Sequence, residues 1–334
     1  MHLGNKKKVA GLRYSIKNYV KEKYSYAREI AFSDLRGSEN WKDMPKVSEL
    51  EGVEKIRVAR KKHGMITRFI AGNILNHGFV QIMQIDIIVT TFCSLNCKNC
   101  TEWIPYLKEK KTFSLESLKQ NIDALFRNVD FVQRINVIGG EAMLHPELPD
   151  LIEHLLKYRG KVGYLLFITN GTLLPNEDLL STISKGRDWI RIVIDSYPPK
   201  KSAGNAKEVE RAFREKGLNA VINMDLQWYD VGAFGPRHVM NELDIRKTFG
   251  SCPFRHCTAL YDGKLYRCSR AWGVEVNTGE VEDADAVIAL KGIRSKAEMY
   301  RKLIRFFGVD YIKACAYCKK DCTKRLVPAG EQMK

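Results

Sequence analysis

Three cysteines stand close together in one short stretch of the chain, Cys93, Cys97 and Cys100, with the spacing C-x3-C-x2-C. Thiolates this close can converge on one metal centre, and soft sulfur ligands favour zinc or an iron–sulfur cluster. A four-iron cluster normally takes four cysteines, so three leave one iron free to bind another molecule. Structural zinc takes four protein ligands, and no Cys or His follows Cys100 within forty residues. The spacing therefore favours an iron–sulfur cluster with an open iron site.

Glycine and polar residues follow the next apolar runs at the points where we expect strands to end. They are Gly139, Gly140 and Glu141 after the second run, Asn170 after the third, and Asp195 and Ser196 after the fourth. Ligands bind at the carboxyl ends of parallel strands. Glycines let a backbone approach a ligand closely, and a carboxylate pairs with an ammonium group. These residues are candidates for a binding site, with ordinary turn chemistry as the alternative for Asn170 and Ser196.

The chain has nine cysteines, an odd number, and six of them lie near its C-terminus. These are Cys252, Cys257, Cys268, Cys315, Cys318 and Cys322. Clustered cysteines in a chain without an export signal are typical of metal ligands rather than disulfides. Four thiolates also suit zinc, which is the alternative for this half of the chain.

The elements that must position these residues are visible in the hydrophobic pattern from residue 83 onward. Strands are predicted at 84–91, 134–140, 164–170, 190–195 and 220–226, and helices at 115–127, 147–158, 177–184 and 206–216. Apolar strands that alternate with helices indicate βα units around a buried parallel sheet. A sixth strand within 230–250 is not evident. Further on, Asp262-Gly263 predicts a hairpin over 258–267, and a helix is predicted at 295–307.

Composition and charge narrow the class of protein. Apolar residues make up 45% and charged residues 28%, which is ordinary globular composition and excludes a mostly disordered or fibrous chain. No run approaches the ~18 apolar residues of a membrane span, and no secretory signal is evident, so we expect a cytoplasmic protein. The net charge is +16, with 17 Lys and Arg against 8 Asp and Glu in residues 1–80. This bias suits RNA, anionic lipid or a phosphorylated substrate, or is a solvated basic face.

The cysteine loop after the first strand and Gly139-Gly140-Glu141 after the second resemble the radical S-adenosylmethionine (SAM) superfamily. The resemblance implies a partial (βα)6 TIM-like barrel in which Cys93, Cys97 and Cys100 hold a [4Fe–4S] cluster and SAM chelates the open iron. It implies that the Gly-Gly-Glu residues hold the amino group of SAM, and that Asn170, Asp195 and Ser196 contact its ribose and carboxylate. The family usually has an aromatic residue or His where this chain has Asn99, so adenine packing falls to Phe92 or Trp103, or is polar.

The C-terminal cysteines resemble the auxiliary-cluster domain called SPASM and its shorter form, twitch. The pattern of a Cys, a Gly-x4-Cys and a later Cys-x2-Cys is matched by Cys252, Gly263-x4-Cys268 and Cys315-x2-Cys318. A full SPASM domain needs seven cysteines, so the resemblance implies one auxiliary [4Fe–4S] cluster held by Cys252, Cys268, Cys315 and Cys318. Cys257 and Cys322 are then inert packing, or one donates a hydrogen atom to a substrate radical, or Cys257 replaces Cys252 as a ligand.

The implied organisation is a basic, mainly helical extension at 1–80, the barrel at 81–250 and the twitch-like domain at 251–334. The implied reaction is reductive cleavage of SAM to a 5′-deoxyadenosyl radical, which abstracts a hydrogen atom from a polar small molecule. Twitch-type relatives include dehydrogenases and epimerases of aminoglycoside-like sugars. We therefore expect oxidation or epimerisation of a sugar or nucleotide-sugar, with flavodoxin or ferredoxin as electron donor. The alternatives are a maturase of a ribosomally made peptide, an RNA-modifying enzyme, and a zinc-bound nucleic-acid-binding or scaffold protein without catalytic activity.

Overall fold

The computed structural model describes residues 80–197, 200–224, 227–320, 322 and 325–333. The helical extension predicted for residues 1–80 lies outside this part, apart from Val80. The strands are β1 Gln81–Ile88, β2 Phe131–Ile138, β3 Val162–Thr169, β4 Ile190–Asp195, β5 Ala220–Asn223, β6 Gln227–Tyr229, β7 Thr258–Tyr261, β8 Lys264–Tyr266, β9 Val287–Ala289 and β10 Leu326–Pro328. The α-helices are α1 Leu115–Asn128, α2 Leu148–Leu156, α3 Glu177–Lys185, α4 Lys200–Glu215, α5 Glu242–Ser251, α6 Ala271–Thr278 and α7 Lys296–Gly308.

The strands predicted from the first five apolar runs are β1 to β5, and they alternate with α1 to α4. Each pairs in parallel with the next along the chain, in the spatial order β5-β4-β3-β2-β1. Residues 230–250 contain no strand. The fold is therefore the predicted α/β architecture of a partial TIM-like barrel, with all five strand ends at one edge of the sheet.

The two faces of the parallel sheet differ sharply in chemistry. Ile85 and Ile87 on β1 and Phe167 on β3 are fully buried in the apolar core. Because side chains alternate along a strand, Gln84 and Asp86 project from the opposite face. That face combines Gln84 and Asp86 with the apolar Ile82 and Ile88. We call it the polar face, and it is available to line the interior of the partial barrel.

Polar side chains at the helix starts fix where several helices begin. Ser114 accepts a hydrogen bond from Ser117 N at the start of α1, Asn176 from Leu179 N at α3, and Ser295 from Glu298 N at α7. Such N-caps satisfy backbone donors that have no partner within the helix. Among the described residues, no helix combines the length and apolarity needed to cross a membrane.

The predicted hairpin is β7 and β8, and its turn residues Asp262 and Gly263 both have positive φ, at 49° and 73°. Two positive φ angles define the tight turn that Asp-Gly favours. β9 extends this antiparallel meander, and β7 pairs in parallel with β1. The C-terminal third of the chain thus contributes strands directly to the sheet that carries the cysteine loop.

A second, two-stranded sheet was not anticipated from the sequence. β6 pairs antiparallel with β10, so that Trp228 lies opposite Val327. The residues after β10 continue to the cysteine loop, where Cys97 forms an isolated bridge with Gln332. We call residues 326–333 the returning segment. It closes over the edge of the sheet where β1 ends.

Candidate functional site

The cysteine loop begins directly after β1 and lies over the carboxyl edge of the sheet. Within it, Cys97 is buried and Cys93 and Cys100 are half-buried. Cys100 N donates to Cys97 O at 3.1 Å, which makes a tight turn between the last two cysteines. Each outer cysteine interacts electrostatically with Cys97. Cys93 and Cys100 are therefore near enough to Cys97 to interact with its charge.

Burial strongly disfavours ionisation of these thiols. It raises the pKa of Cys93 to about 11 and that of Cys100 to about 12, and it also raises the pKa of Cys97. Thiolates, not thiols, bind metals. Iron binding here must therefore release protons, with the cation providing the compensating charge. The three sulfurs fit the three-cysteine requirement of a cluster with one open iron.

Gly139 and Gly140 are required by a close approach between β2 and the chain that enters the cysteine loop. A Cβ on Gly139 would lie 2.3 Å from Thr90 O, and one on Gly140 would lie 2.2 Å from Phe92 O. Gly140 N donates to Thr90 O at 2.8 Å. The two glycines thus fasten the end of β2 to the cysteine loop, a structural role that the sequence argument did not foresee.

Glu141 is almost completely buried, and its carboxylate connects the ends of two strands. It accepts hydrogen bonds from Met143 N at 3.1 Å, Thr169 Oγ1 at 2.9 Å and Asn170 N at 2.7 Å. A carboxylate has about four acceptor positions, so one remains for a ligand donor. Burial raises the pKa of Glu141 despite these donors.

Asn170 and Asp195, two of the three polar residues predicted at the ends of β3 and β4, lie at the same edge. Asn170 Nδ2 donates to Ser94 Oγ at 3.0 Å and lies 3.6 Å from Cys93 Sγ. Asp195 accepts from Asn223 Nδ2 at 2.9 Å, and burial raises its pKa. Burial is the main cause that raises the pKa of Glu141, and the charge of Asp195 adds to it.

Ser196 follows Asp195 and is buried, and its backbone N donates to Asn223 O at 2.9 Å. The structure therefore brings all six residues predicted to bind SAM to one edge, beside the cysteine loop. Of the alternatives for adenine packing, Phe92 is 46% exposed. Trp103 is fully buried, with its ring against Phe234, which favours Phe92 over Trp103.

The sequence also missed the returning segment as part of this site. Gln332 Nε2 donates to Cys97 Sγ at 3.1 Å, and Gln332 Oε1 accepts from Asn96 N at 2.7 Å. Lys98 N donates to Glu331 O at 2.7 Å. These contacts hold both sides of the central cysteine. Because 235 residues separate Gln332 from Cys97, no local pattern could have indicated them.

Five of the C-terminal cysteines line one cavity. The cysteines that line it are Cys252, Cys268, Cys315, Cys318 and Cys322. The four predicted cluster ligands are among them, and Cys322 joins them. Cys257 is not among the lining residues; its Sγ lies 3.7 Å from Gln84 Nε2, on the polar face of β1. The sequence alone did not separate Cys257 from the others.

A buried arginine tests whether this cavity suits a cysteine-ligated cluster. Arg270 lines the cavity and is 1% exposed, and its Nε and Nη2 have no hydrogen-bond partner among the described residues. A buried cation is costly unless negative charge lies nearby. Cysteine thiolates around a metal cluster supply that charge, so the residues fit such a group.

In the part of the chain that the structure describes, no three His, Cys, Asp or Glu side chains are grouped so as to hold a single metal ion. The sulfurs around one zinc ion must each lie about 2.3 Å from it. A [4Fe–4S] cluster is larger than a single ion, so the cysteine sulfurs that bind it lie farther apart than those around one zinc ion.

The interior face of the sheet carries a connected set of polar side chains on β1 and β2. Gln84 Nε2 and Asn136 Nδ2 both donate to Asp86 Oδ1, at 2.8 Å and 2.5 Å. Arg134 Nη2 donates to Gln84 Oε1. Arg134 Nε and Asn136 Oδ1 are buried without a partner among the described residues. This face therefore offers charged and amide groups to a polar molecule inside the barrel.

Comparison with known protein families gives a match to this part of the chain. The model of the radical SAM superfamily matches residues 87–226, which run from the end of β1 through β5 and include the cysteine loop and Glu141. The match thus covers the edge of the sheet at which the predicted cluster and SAM residues meet.

Two curated proteins are similar in sequence. The antilisterial bacteriocin subtilosin biosynthesis protein AlbA of Bacillus subtilis (strain 168) is 34% identical over 113 residues, 32% of this chain and 23% of that protein. The GTP 3′,8-cyclase of Chlorobaculum tepidum is 27% identical over 213 residues, 60% of this chain and 61% of the cyclase. The chain therefore spans less than two thirds of the length of the curated relatives it matches.

Two solved structures are similar in fold. A crystal structure of BtrN in complex with AdoMet and 2-DOIA matches with a TM-score of 0.44 and 17% identity, over 75% of this chain and 95% of that chain. A crystal structure of Streptococcus suis SuiB bound to S-adenosylmethionine matches with a TM-score of 0.37 and 14% identity, over 54% of this chain and 42% of that chain.

Proposed function

Because the chain belongs to the radical SAM superfamily, we propose that it cleaves SAM reductively and abstracts a hydrogen atom from a polar small molecule. The family binds a [4Fe–4S] cluster and SAM. When bound, the cluster supplies the electron that breaks the sulfonium–C5′ bond, yielding methionine and a 5′-deoxyadenosyl radical. One observation supports the proposal most strongly. The loop with Cys93, Cys97 and Cys100 lies at the same edge of the sheet as the Gly139-Gly140-Glu141 segment.

In this proposal each residue of the edge has a defined task. Cys93, Cys97 and Cys100 hold the cluster, and the remaining acceptor position of Glu141 binds the amino group of SAM. Asn170 fixes Ser94 beside Cys93, and Asp195 and Ser196 lie where the ribose and carboxylate of SAM would bind. Exposed Phe92 packs on the adenine and excludes water from that side.

The substrate is proposed to bind on the polar interior face, with its target C–H facing the edge where SAM binds. Charged and amide groups such as Arg134, Asp86 and Asn136 suit the hydroxyl groups of a sugar, and Arg134 suits a phosphate. The radical takes one hydrogen atom and becomes 5′-deoxyadenosine. The substrate radical would then lose one electron to the auxiliary cluster and one proton to water, which gives oxidation, or regain a hydrogen atom from a cysteine thiol, which gives epimerisation. The product of this chain follows one of these two routes.

Cys257 is proposed as the hydrogen donor of the epimerisation route. It lies beside Gln84 and Asp86 rather than in the cysteine-lined cavity. Burial raises its pKa well above the usual 9, so the thiol keeps the hydrogen that a donor must supply. In the Cys257→Ala variant, retained iron with lost product would support the donor role. Lost auxiliary iron would instead indicate that Cys257 is a cluster ligand. Unchanged iron and product would indicate that Cys257 only packs in the interior.

A second candidate function is maturation of a ribosomally made peptide. The observation that favours it is the 34% identity with the subtilosin biosynthesis protein AlbA over 113 residues. In the first function the abstracted hydrogen atom comes from a sugar or nucleotide-sugar, and in the second it comes from a peptide.

Deuterium transfer tests the substrate class. The protein is incubated without oxygen with SAM, dithionite-reduced flavodoxin and perdeuterated sugars, nucleotide-sugars or candidate peptides, and 5′-deoxyadenosine is analysed by mass spectrometry. Deuterium from a sugar or nucleotide-sugar is the expected result. Deuterium from peptides alone would replace the proposal by the second function.

A further inference from the structure

Arg270 occupies an unusual position between the two cysteine groups. It is 1% exposed, and its guanidinium lies 4.7 Å from the Phe254 ring centroid and 5.6 Å from that of Trp103. Its Nη1 lies 3.9 Å from Cys318 Sγ. Aromatic rings on two sides fix the guanidinium and shield it from water, which strengthens its charge interactions.

The hydrogen-bonding capacity of this guanidinium is largely unused. Arginine has five N–H donors, and Arg270 Nε and Nη2 are buried without a partner among the described residues. A permanent buried cation with free donors requires an anionic neighbour in the cavity that it lines.

Glu102 extends this charge pattern to the first cysteine group. It follows Cys100 by two residues, and its Oε2 is buried and makes no hydrogen bond within the described part of the chain. Burial raises the pKa of Glu102 to about 7, and the charge of Arg270 opposes this rise. Glu102 is therefore fully ionised only above neutral pH.

We propose that Arg270 is the buried counter-ion of the auxiliary cluster. The inference rests on the proposed function, because it requires that the chain binds this cluster. Four thiolates around a four-iron core give a centre of net charge about −2, and reduction adds one more negative charge. A buried cation beside it stabilises the reduced form and makes reduction easier. Arg270 therefore sets the reduction potential of the auxiliary cluster.

The test measures that potential directly. In a variant without the first cluster, with Cys93, Cys97 and Cys100 all changed to Ala, the auxiliary cluster is titrated with reductant and followed by electron paramagnetic resonance. We expect Arg270→Gln to shift the midpoint to more negative potential and Arg270→Lys to restore most of the shift. Exposed Arg246, which pairs with Glu242 and Asp310, provides the control Arg246→Gln, with no expected shift. An unchanged midpoint in Arg270→Gln with full iron content would overturn the proposal.

Glu102→Gln supplies a second measurement of opposite sign. At pH 9, above the pKa of about 7 to which burial raises Glu102, it removes a negative charge and leaves Arg270 in place, so the midpoint at that pH should move to less negative potential. If Arg270→Gln does not retain iron, this variant decides the matter, and an unchanged or more negative midpoint contradicts the proposal. A parent protein that binds only about four irons, all lost with Cys93, Cys97 and Cys100, would instead overturn the auxiliary site, and the role of Arg270 with it.

Discussion

At the scale of single residues, the site depends on contacts made to the cysteine loop from distant parts of the chain. Asn170 reaches it from β3, Gly140 from β2 and Gln332 from the returning segment. Metal ligands are oriented by such neighbours, and their loss weakens a metal site without removing a ligand. Two substitutions separate this supporting role from direct ligation.

Replacing Gly140 by Ala should disrupt the cysteine loop. The new Cβ would lie 2.2 Å from Phe92 O, a backbone atom that can move only by shifting the loop. We expect a loss of about 3 kcal/mol in the free energy of unfolding, as for overpacking in a dense interior, and loss of the iron held by the first cysteine group. Urea unfolding and iron analysis measure the two effects.

The matched control is Gly160→Ala, because a Cβ there meets no atom within 4 Å. Both changes add one methyl group to a glycine. Equal destabilisation by the two variants would show that the close approach at Gly140 is not what requires glycine.

Replacing Gln332 by Ala should loosen the first cluster while keeping all three ligands. The amide donates to Cys97 Sγ at 3.1 Å, and a hydrogen bond of this kind contributes about 1 kcal/mol. We therefore expect a chelator to remove iron from the first site several-fold faster, with unchanged initial iron content. The control is Glu331→Gln, which removes only the exposed 3.5 Å ion pair with Lys98. Identical chelation rates for the parent and Gln332→Ala would show that this contact does not support the cluster.

At the scale of elements, the sequence predicted what local chemistry determines. The five apolar runs predicted β1 to β5, and Asp262-Gly263 predicted the β7–β8 turn. Both predictions were possible because strand burial and turn geometry depend on neighbouring residues. The pairing of β7 with β1 and of β6 with β10 depends on contacts far apart in sequence. No local pattern records those contacts, so the joining of the C-terminal strands to the main sheet was not predicted.

The first two helices are joined by a polar contact that should depend on pH. Asp123 on α1 accepts from His154 Nε2 on α2 and from Tyr158 OH, both at 2.6 Å. Desolvation opposes the charge of Asp123, but these hydrogen bonds outweigh it and hold the pKa of Asp123 below its usual value. A lowered carboxyl pKa stabilises the fold above the unfolded-state value near 3.9 and loses this contribution as pH falls through the folded-state value.

We therefore expect Asp123→Asn to destabilise the protein by about 1 kcal/mol at pH 7, and by less at pH 3. Thermal or urea unfolding at several pH values measures the difference. The control is Asp188→Asn, since Asp188 forms an exposed pair with Arg159 and should change stability by less than about 0.5 kcal/mol. A destabilisation by Asp123→Asn that is constant down to pH 3 would contradict this account.

At the scale of the whole molecule, the chain places two groups of cysteines around one sheet. The cysteine spacing in the sequence already separated these groups and favoured clusters over a single ion. It did not reveal that Arg270 lies between them or that Trp103 is buried beside Arg270, because burial of large and charged side chains is decided by tertiary packing. Nor did it distinguish Cys257, on the polar face, from the cysteines of the cavity.

In the proposed function, this arrangement binds iron–sulfur clusters and generates a radical from SAM. The decisive experiment uses protein purified without oxygen, in which iron, sulfide and zinc are quantified before SAM and a strong reductant are added. We expect about eight irons per chain, four for each cluster, and formation of 5′-deoxyadenosine that is lost when Cys97 is changed to Ala. Bound zinc, no iron after anaerobic reconstitution and intact SAM would contradict it.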